Sequence, residues 1–400
     1  MKSSKYNLLI ATLGALSAIG PFAIDTYLPA FPAIAKSFGA DMAQVGYTLT
    51  SYFIGISLGQ LVYGPILDRF GRRAPLMAGL LAFALAAVAS ACAASIEWLI
   101  VSRFFMALGG CVGMVGGRAV VRDVFPPHEA AAIFSTLMLF IGVAPIVAPT
   151  VGGLIVGYWG WRWIFVFMAV VAVSVLLAFS LFIPESKGPD PSVSLRPRHV
   201  MREYWIVLKE PLFVTYSIAS GAASAAMFAY ISGGPFVFMK LLDFSEREFG
   251  VMFGFNAMGL IVGSQVNRLL LKKYSSEAIS LATAGMQVVA GMALLGEVAL
   301  GDMNPASMIL SIFMFQLFGG MQFPNNTALA LQPFTRGLGS ASALLGGVQV
   351  ISSAVSSGLV SVMNDGTAFP MAGAMAFWAF VSFVLLAARR PARLKSAQTA

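Results

Sequence analysis

Charge is what this 400-residue chain has least of: Asp, Glu, Lys and Arg make up 10% of it, against 58% hydrophobic residues. A soluble domain carries about 25% charged residues, so the composition excludes a water-facing globule and points to a polytopic membrane protein. Histidine and cysteine occur twice each. His128 and His199 stand in polar stretches, and no His-Glu-x-x-His, paired-carboxylate or Ser–His pattern occurs. An enzyme is therefore not expected. Cys92 and Cys111 both fall in apolar runs, which leaves no disulfide framework and no metal-ligand spacing; they read as free core cysteines. Period-2 alternation is missing as well, and with it the signature of a membrane barrel.

What the chain does have is long apolar runs. About 20 apolar residues cross a bilayer as a helix. On that criterion twelve spans are expected, near 8–33, 44–66, 74–96, 98–121, 130–156, 161–184, 212–238, 249–269, 278–299, 305–332, 338–363 and 367–388. Lys2 and Lys5 before the first run mimic a signal peptide. The run is too long for one, and Asp25 stands where a cleavage site belongs, so a retained helix is expected. With the N-terminus placed in the cytoplasm, the inner segments carry 19 of the 25 Lys and Arg. That bias predicts cytoplasmic termini and accounts for the basic balance without nucleic acid. The tail residues Arg389, Arg390, Arg393 and Lys395 read as an anchor against anionic lipid.

One long polar stretch, Glu185 to Pro211, divides the spans six and six. The expected organisation is an N-terminal six-helix bundle (1–185), a cytoplasmic linker (186–211) and a C-terminal six-helix bundle with a short basic tail (212–400). Two repeated bundles are the mark of an alternating-access transporter. Rows of small residues, Gly55 with Gly59 and Gly109, Gly113 with Gly117, suit close helix contact in lipid. Pro145 and Pro149, followed by Gly152 and Gly153, predict a kinked or loosened fifth span. The kink serves either a moving interface or a static bend.

The loop after the second span carries Gly64, Asp68, Arg69, Gly71, Arg72 and Arg73. It resembles the G-x-x-x-D-R-x-G-R-[RK] signature of the major facilitator superfamily. Pro21, Asp25, Tyr27, Leu28, Pro29 and Pro32 resemble the first span of the Bcr/CflA drug-exporter family, which includes bicyclomycin and chloramphenicol/florfenicol efflux proteins. Ala219-Ser220-Gly221, Met227-Phe228 and Gly234-Pro235-Phe236-Val237 resemble its seventh span. Trp161-Arg162-Trp163 and Pro184-Glu185-Ser186 bracket the sixth span in the same way. The resemblance implies an all-α integral membrane protein of twelve transmembrane helices in two six-helix bundles around a central cavity. It implies a proton-driven drug antiporter without a cofactor in the inner membrane of a bacterium, monomeric, with drug, protons and lipid as its partners. Ala148 to Gly153 look like the family's antiporter motif, with alanine at 144 and 148 where glycine is common.

A carboxylate inside the first span is the sharpest single clue to mechanism. Asp at a helix centre costs about 2.5–3.5 kcal/mol, so Asp25 is expected to face a wet cavity or a partner. It lies about 10 Å inside from Pro32, and Arg103 lies about 9 Å inside from Glu97 on an antiparallel span. The two therefore share a depth, and opposed effects of burial and a nearby cation suit a loadable proton site. The alternative is a fixed Asp–Arg pair that only fastens two helices. Arg118 lies about 31 Å below the same surface, as an entry contact for substrate or a snorkelling residue.

Following the superfamily pattern, Gly64, Asp68, Arg69, Gly71 and Arg72 together with Asp123 are expected to form an inner conformational latch. Its first acid would face the N-terminus of the eleventh span near Gly337, Gly339 and Ser340. Substrate contacts are expected among Tyr27, Tyr52, Arg118, Met227, Phe228, Tyr230, Phe236, Asn256, Met321, Asn325 and Asn326, since Met and aromatic side chains suit adaptable apolar pockets. Few charges on the inner spans favour lipophilic cargo. Export of amino acids or short peptides, and proton-coupled import, remain the alternatives.

Overall fold

The computed structural model describes residues 3–125, 127–183, 185–191, 197–301, 303–334 and 338–397, and every regular element among them is helical. In order these are α1 Ser3–Asp25, α2 Phe31–Phe38, α3 Met42–Phe70, α4 Arg73–Ala91, α5 Ile96–Val124, α6 Pro127–Trp159, α7 Arg162–Phe182, α8 Pro197–Leu208, α9 Pro211–Gly234, α10 Glu246–Leu270, α11 Ser276–Ala299, α12 Pro305–Leu331, α13 Leu338–Val362 and α14 Phe369–Ala397. Among the described residues, eleven helical stretches are long and apolar enough to cross a membrane. The expected second span, 44–66, is the helix α3, which is long enough but lies outside the eleven. Thr48, Thr50, Ser51, Ser57 and Gln60 lower its hydropathy.

Local chemistry sets several of the helix starts. Asp41 accepts from the Gln44 amide at 2.7 Å while Gln44 accepts from the Asp41 amide at 3.0 Å, a reciprocal cap that opens α3. Ser95, Ser275 and Asn304 accept from backbone N–H groups at the starts of α5, α11 and α12.

The first span is not the uninterrupted helix expected over 8–33. It breaks at Asp25, passes through a 3₁₀ turn at Leu28–Ala30 and resumes as α2. Pro29 and Pro32 lack the N–H groups that a continuous helix would need there. The seventh span changes geometry in a related way: after Gly233 and Gly234 it widens into a π-helical turn, Pro235–Leu241. By contrast α6 runs as one helix through Pro145 and Pro149. The stretch expected to be only a polar linker contains α8, with Pro197 at its first position. Cys111 is buried as expected, but Cys92 is exposed at the end of α4, outside the core.

The chain divides into two compact units. The first comprises Met1–Val200 with Ser245–Val251, and the second comprises Met201–Phe244 with Met252–Ala400. In the first unit α5 packs against α1, α3 and α4. Its glycine row is split between two neighbours: a Cβ at Gly109 would strike Phe83 and Gly79 of α4, and one at Gly113 or Gly117 would strike Leu16 or Ser17 of α1. Gly55 of α3 faces the Phe104 carbonyl of α5. In the second unit α9 packs on α12, α13 and α14, and α11 packs on α12 and α14.

Candidate functional site

Among the described residues, the buried charged side chains are Asp25, Arg72 and Arg103, all in the first unit. Asp25 ends α1 at the break and is 4% exposed. Arg103, on α5, is fully buried. Its Nη1 donates to the Ala23 carbonyl at 3.2 Å, two residues from Asp25. Arg103 thus reaches the last turn of α1, and among the described residues no ion pair joins it to Asp25.

Aromatic faces take the place of the acid. The guanidinium carbon lies 4.4 Å from the Tyr27 ring centroid and 4.1 Å from that of Tyr52, with Phe165 at 6.0 Å. The negative face of a ring attracts a cation, more so where water is excluded. Among the described residues, Nε and Nη2 of Arg103 meet no hydrogen-bond partner. Tyr27 is oriented by Thr48, whose Oγ1 lies 2.7 Å from the phenol and donates to the Val45 carbonyl at 2.6 Å. Since the Thr48 proton goes to Val45, the tyrosine hydroxyl is the donor. Tyr27 and Tyr52 are both fully buried beside Arg103. Thr48 was not singled out from the sequence, and Phe165, in the stretch Trp161 to Phe165, was read only as part of a resemblance.

The residues after the break are seated by α6. A Cβ on Gly152 would collide with the Thr26 carbonyl, and one on Gly153 would collide with the Glu246 carbonyl of the segment grouped with this unit. Gly152 is thus what lets α6 close on the turn beside Asp25, while Gly153 lets it close on Glu246.

At the end of α3, Gly71 adopts φ +82°, a conformation glycine reaches without strain, and the chain turns sharply into α4. Arg72 bridges two acids there: Nη1 to Asp68 at 2.9 Å and Nε to Asp123 at 2.8 Å. Burial alone would lower the Arg72 pKa, but its bonds to Asp123 and Asp68 hold it above the ordinary value. Lys187 also reaches Asp68, at 3.3 Å. Glu185 was read from the sequence only as part of a resemblance. Its carboxylate accepts the Arg72 amide at 2.8 Å and the Arg73 amide at 3.2 Å, an anion on the N-terminus of α4. Arg73 in turn donates to the Ser180 carbonyl at 2.7 Å near the end of α7. Asp68, Arg72 and Asp123 are therefore brought together as expected. Gly64 sits within α3 in open surroundings, and the Arg69 carbonyl accepts the Asp190 amide at 3.0 Å. The side chains of Arg118 and of Gly337 to Gly339 lie outside what the structure describes.

The second unit holds its expected substrate residues in neutral polar contacts. Asn256 donates to the Tyr230 hydroxyl at 3.1 Å and to the Met252 sulfur at 3.2 Å, and Tyr230 stacks on Phe253. Asn325 donates to Asn267 at 2.6 Å and to the Met321 carbonyl at 2.8 Å, while Asn326 accepts from Ser280. Gln322 donates to Ser382 at 2.9 Å, which donates to the Ala219 carbonyl at 2.9 Å. Met227, Phe228 and Phe236 are half-buried, and Met321 is buried. The first unit thus holds ionisable groups, and the described buried polar groups of the second are amides and hydroxyls.

The family model of the Major Facilitator Superfamily matches residues 13–357. The chain belongs to the major facilitator superfamily. It is 32% identical, over 91% of its length and 90% of the relative's, to an uncharacterised MFS-type transporter of Bacillus subtilis. It is 30% identical to a bicyclomycin resistance protein homolog of Haemophilus influenzae, over 91% of each chain. With a chloramphenicol resistance protein of Pseudomonas aeruginosa it shares 26% identity, over 68% of this chain and 63% of that one. The crystal structure of a D-xylose-proton symporter matches with a TM-score of 0.73 at 17% identity, over 94% of this chain and 96% of that one, which shows the fold. The resemblance to drug-resistance members of the superfamily holds, and the chain is a multi-pass membrane transporter.

Proposed function

We propose that this transporter is a proton-coupled antiporter that exports lipophilic drugs or antibiotics from the bacterial cytoplasm by alternating access. The observation that carries the reading is Asp25: a buried carboxyl at the point where its helix breaks, two residues after the carbonyl held by an arginine that tyrosine rings rather than an acid stabilise. Because Arg103 does not depend on Asp25 for its charge balance, Asp25 is free to take and give up a proton. In this reading a proton arriving from outside displaces drug outward and then leaves to the cytoplasm. The resistance functions named for several relatives support drugs as the cargo.

Candidate cargo contacts are Tyr230, Phe236, Asn256, Met321, Asn325 and Asn326, together with the other aromatic and Met side chains named above. The Asp68–Arg72–Asp123 cluster serves as the latch of one transport state. The excess of basic residues on one set of connections supports cytoplasmic termini in the inner membrane. No cofactor is needed, since the proton gradient drives the cycle, and the transporter works as a monomer.

Export from proteoliposomes with an imposed pH gradient tests the reading. Wild type drives drug out when the pH gradient is present, and Asp25→Asn, while still binding drug and melting at the wild-type temperature, does not. Undiminished gradient-driven export by Asp25→Asn would refute the proton role. Accumulation rather than extrusion would favour a proton-coupled importer.

A further inference from the structure

The short helix α8, Pro197–Leu208, is absorbed neither by the proton site nor by the latch. Its inner face is seated on the second unit: Val207 is buried in a cluster with Phe213, Leu329, Ala330 and Leu345, and Tyr204 is half-buried. Its exposed side carries apolar residues on either side of two basic ones. Met201, Trp205 and Leu208 follow one another at i, i+4 and i+7, which puts them on one stripe, and they are 68%, 63% and 41% exposed. Arg202 and Lys209 are also exposed and, at about 100° per residue, flank that stripe on one side.

The position of α8 says what covers this face. Three residues after α8 ends, Pro211 opens a membrane-capable stretch, Pro211–Leu241. The connecting turn is tight, with the Lys209 amide donating to the Ile206 carbonyl and the Glu210 amide to the Val207 carbonyl. Arg389, at the end of the membrane-capable stretch Phe369–Arg389, donates to the Pro211 carbonyl and to Thr215, both at 2.9 Å. Two spans therefore meet the bilayer surface at this level, and α8 runs from it. The acid nearest the turn, Glu210, is engaged by the Leu212 amide. A tryptophan-bearing apolar stripe with basic flanks, at the level where spans end, has the chemistry of an interfacial helix.

We propose that α8 lies in the plane of the bilayer surface, with Met201, Trp205 and Leu208 inserted at the head-group level and Arg202 and Lys209 on the phosphates of anionic lipid. The linker between the two halves is then a lipid-docked strap, and the lipid charge at that leaflet sets how firmly the strap is held.

The test uses the full-length protein in lipid nanodiscs of phosphatidylcholine, with and without phosphatidylglycerol. Hydrogen exchange of residues 200–209 should slow about twenty-five-fold when the anionic lipid is present, given that each of the two basic residues near such a surface contributes about fivefold. The double variant Arg202→Gln/Lys209→Gln should lose that difference while melting at the wild-type temperature. Lipids brominated near the head group should quench a fluorescence component that is missing in Trp205→Phe. Equal exchange in both lipids overturns the phosphate contacts. An unquenched Trp205 overturns the docking altogether, and would mean that water or a protein partner meets the stripe.

Discussion

The Arg103 guanidinium lies over the Tyr52 ring, its carbon 4.1 Å from the ring centroid and both side chains fully buried. Tyr27 covers the cation from its own ring, 4.4 Å away. A buried arginine with two nitrogens unpaired among the described residues depends on those faces for its charge. Tyr52→Phe keeps the ring and should leave the melting temperature nearly unchanged. Tyr52→Leu removes the quadrupole and should cost about 2 kcal/mol. Thermal denaturation of the purified variants in detergent decides it, and equal melting of the Leu and Phe variants would deny the contact its role.

Arg72 meets Asp68 through Nη1 and Asp123 through Nε, a geometry that a single ammonium does not reproduce. Arg72→Lys should therefore retain charge, lose one of the two acids, and cost about 1–3 kcal/mol of stability. Drug susceptibility of a host lacking its own exporters, matched for expression, should rise toward the empty-vector level. Wild-type protection by the Lys variant would show that charge alone suffices at this position.

Glu185 closes the N-terminus of α4 by accepting the Arg72 and Arg73 amides. Glu185→Gln keeps an acceptor and removes the charge that the helix end favours, so a loss of about 1 kcal/mol is expected, with Glu185→Ala costing more. Melting temperatures of the pair should rank wild type, Gln, Ala. The reverse order would remove the cap from the account.

Gly152 stands against the Thr26 carbonyl with no room for a Cβ. Gly152→Val should push α6 away from the turn that follows Asp25, lowering stability by about 1–3 kcal/mol and abolishing transport even where protein remains in the membrane. A Val variant that transports normally would mean that α6 and the turn need not touch.

Asn325 and Asn267 form a direct amide pair inside the second unit, 2.6 Å apart. Removing either alone strands a buried polar partner, whereas removing both leaves an apolar contact. Asn325→Leu and Asn267→Leu should each destabilise by about 1–2 kcal/mol, and the double variant by less than their sum. Additive losses measured in the cycle would indicate that the two amides are not coupled.

Several of these features could be read from residue order alone. Apolar runs of bilayer length and the rows of small residues announced helices packed in lipid, because both depend on local composition. The loop around Asp68 and Arg72 was equally legible, since its members are close in sequence and Asp123 ends a span at the same level. Asp25 announced itself as a lone acid in an apolar run.

What covers Arg103 was not legible, because Tyr27, Phe165 and the α3 pair Thr48 and Tyr52 come from three separate stretches of chain and meet only when the helices pack. The break after Asp25 was half visible in Pro29 and Pro32, but the seat for it depends on where Gly152 of α6 lands. The amides of the second unit could be seen as polar residues in apolar spans, while their partners Asn267, Ser280 and Ser382 could not. Composition and period set which faces are apolar and how long each helix is. Which buried polar group meets which is decided by helix packing, because a hydrogen bond or a cation over a ring requires atoms within a few ångströms that sequence separation does not encode.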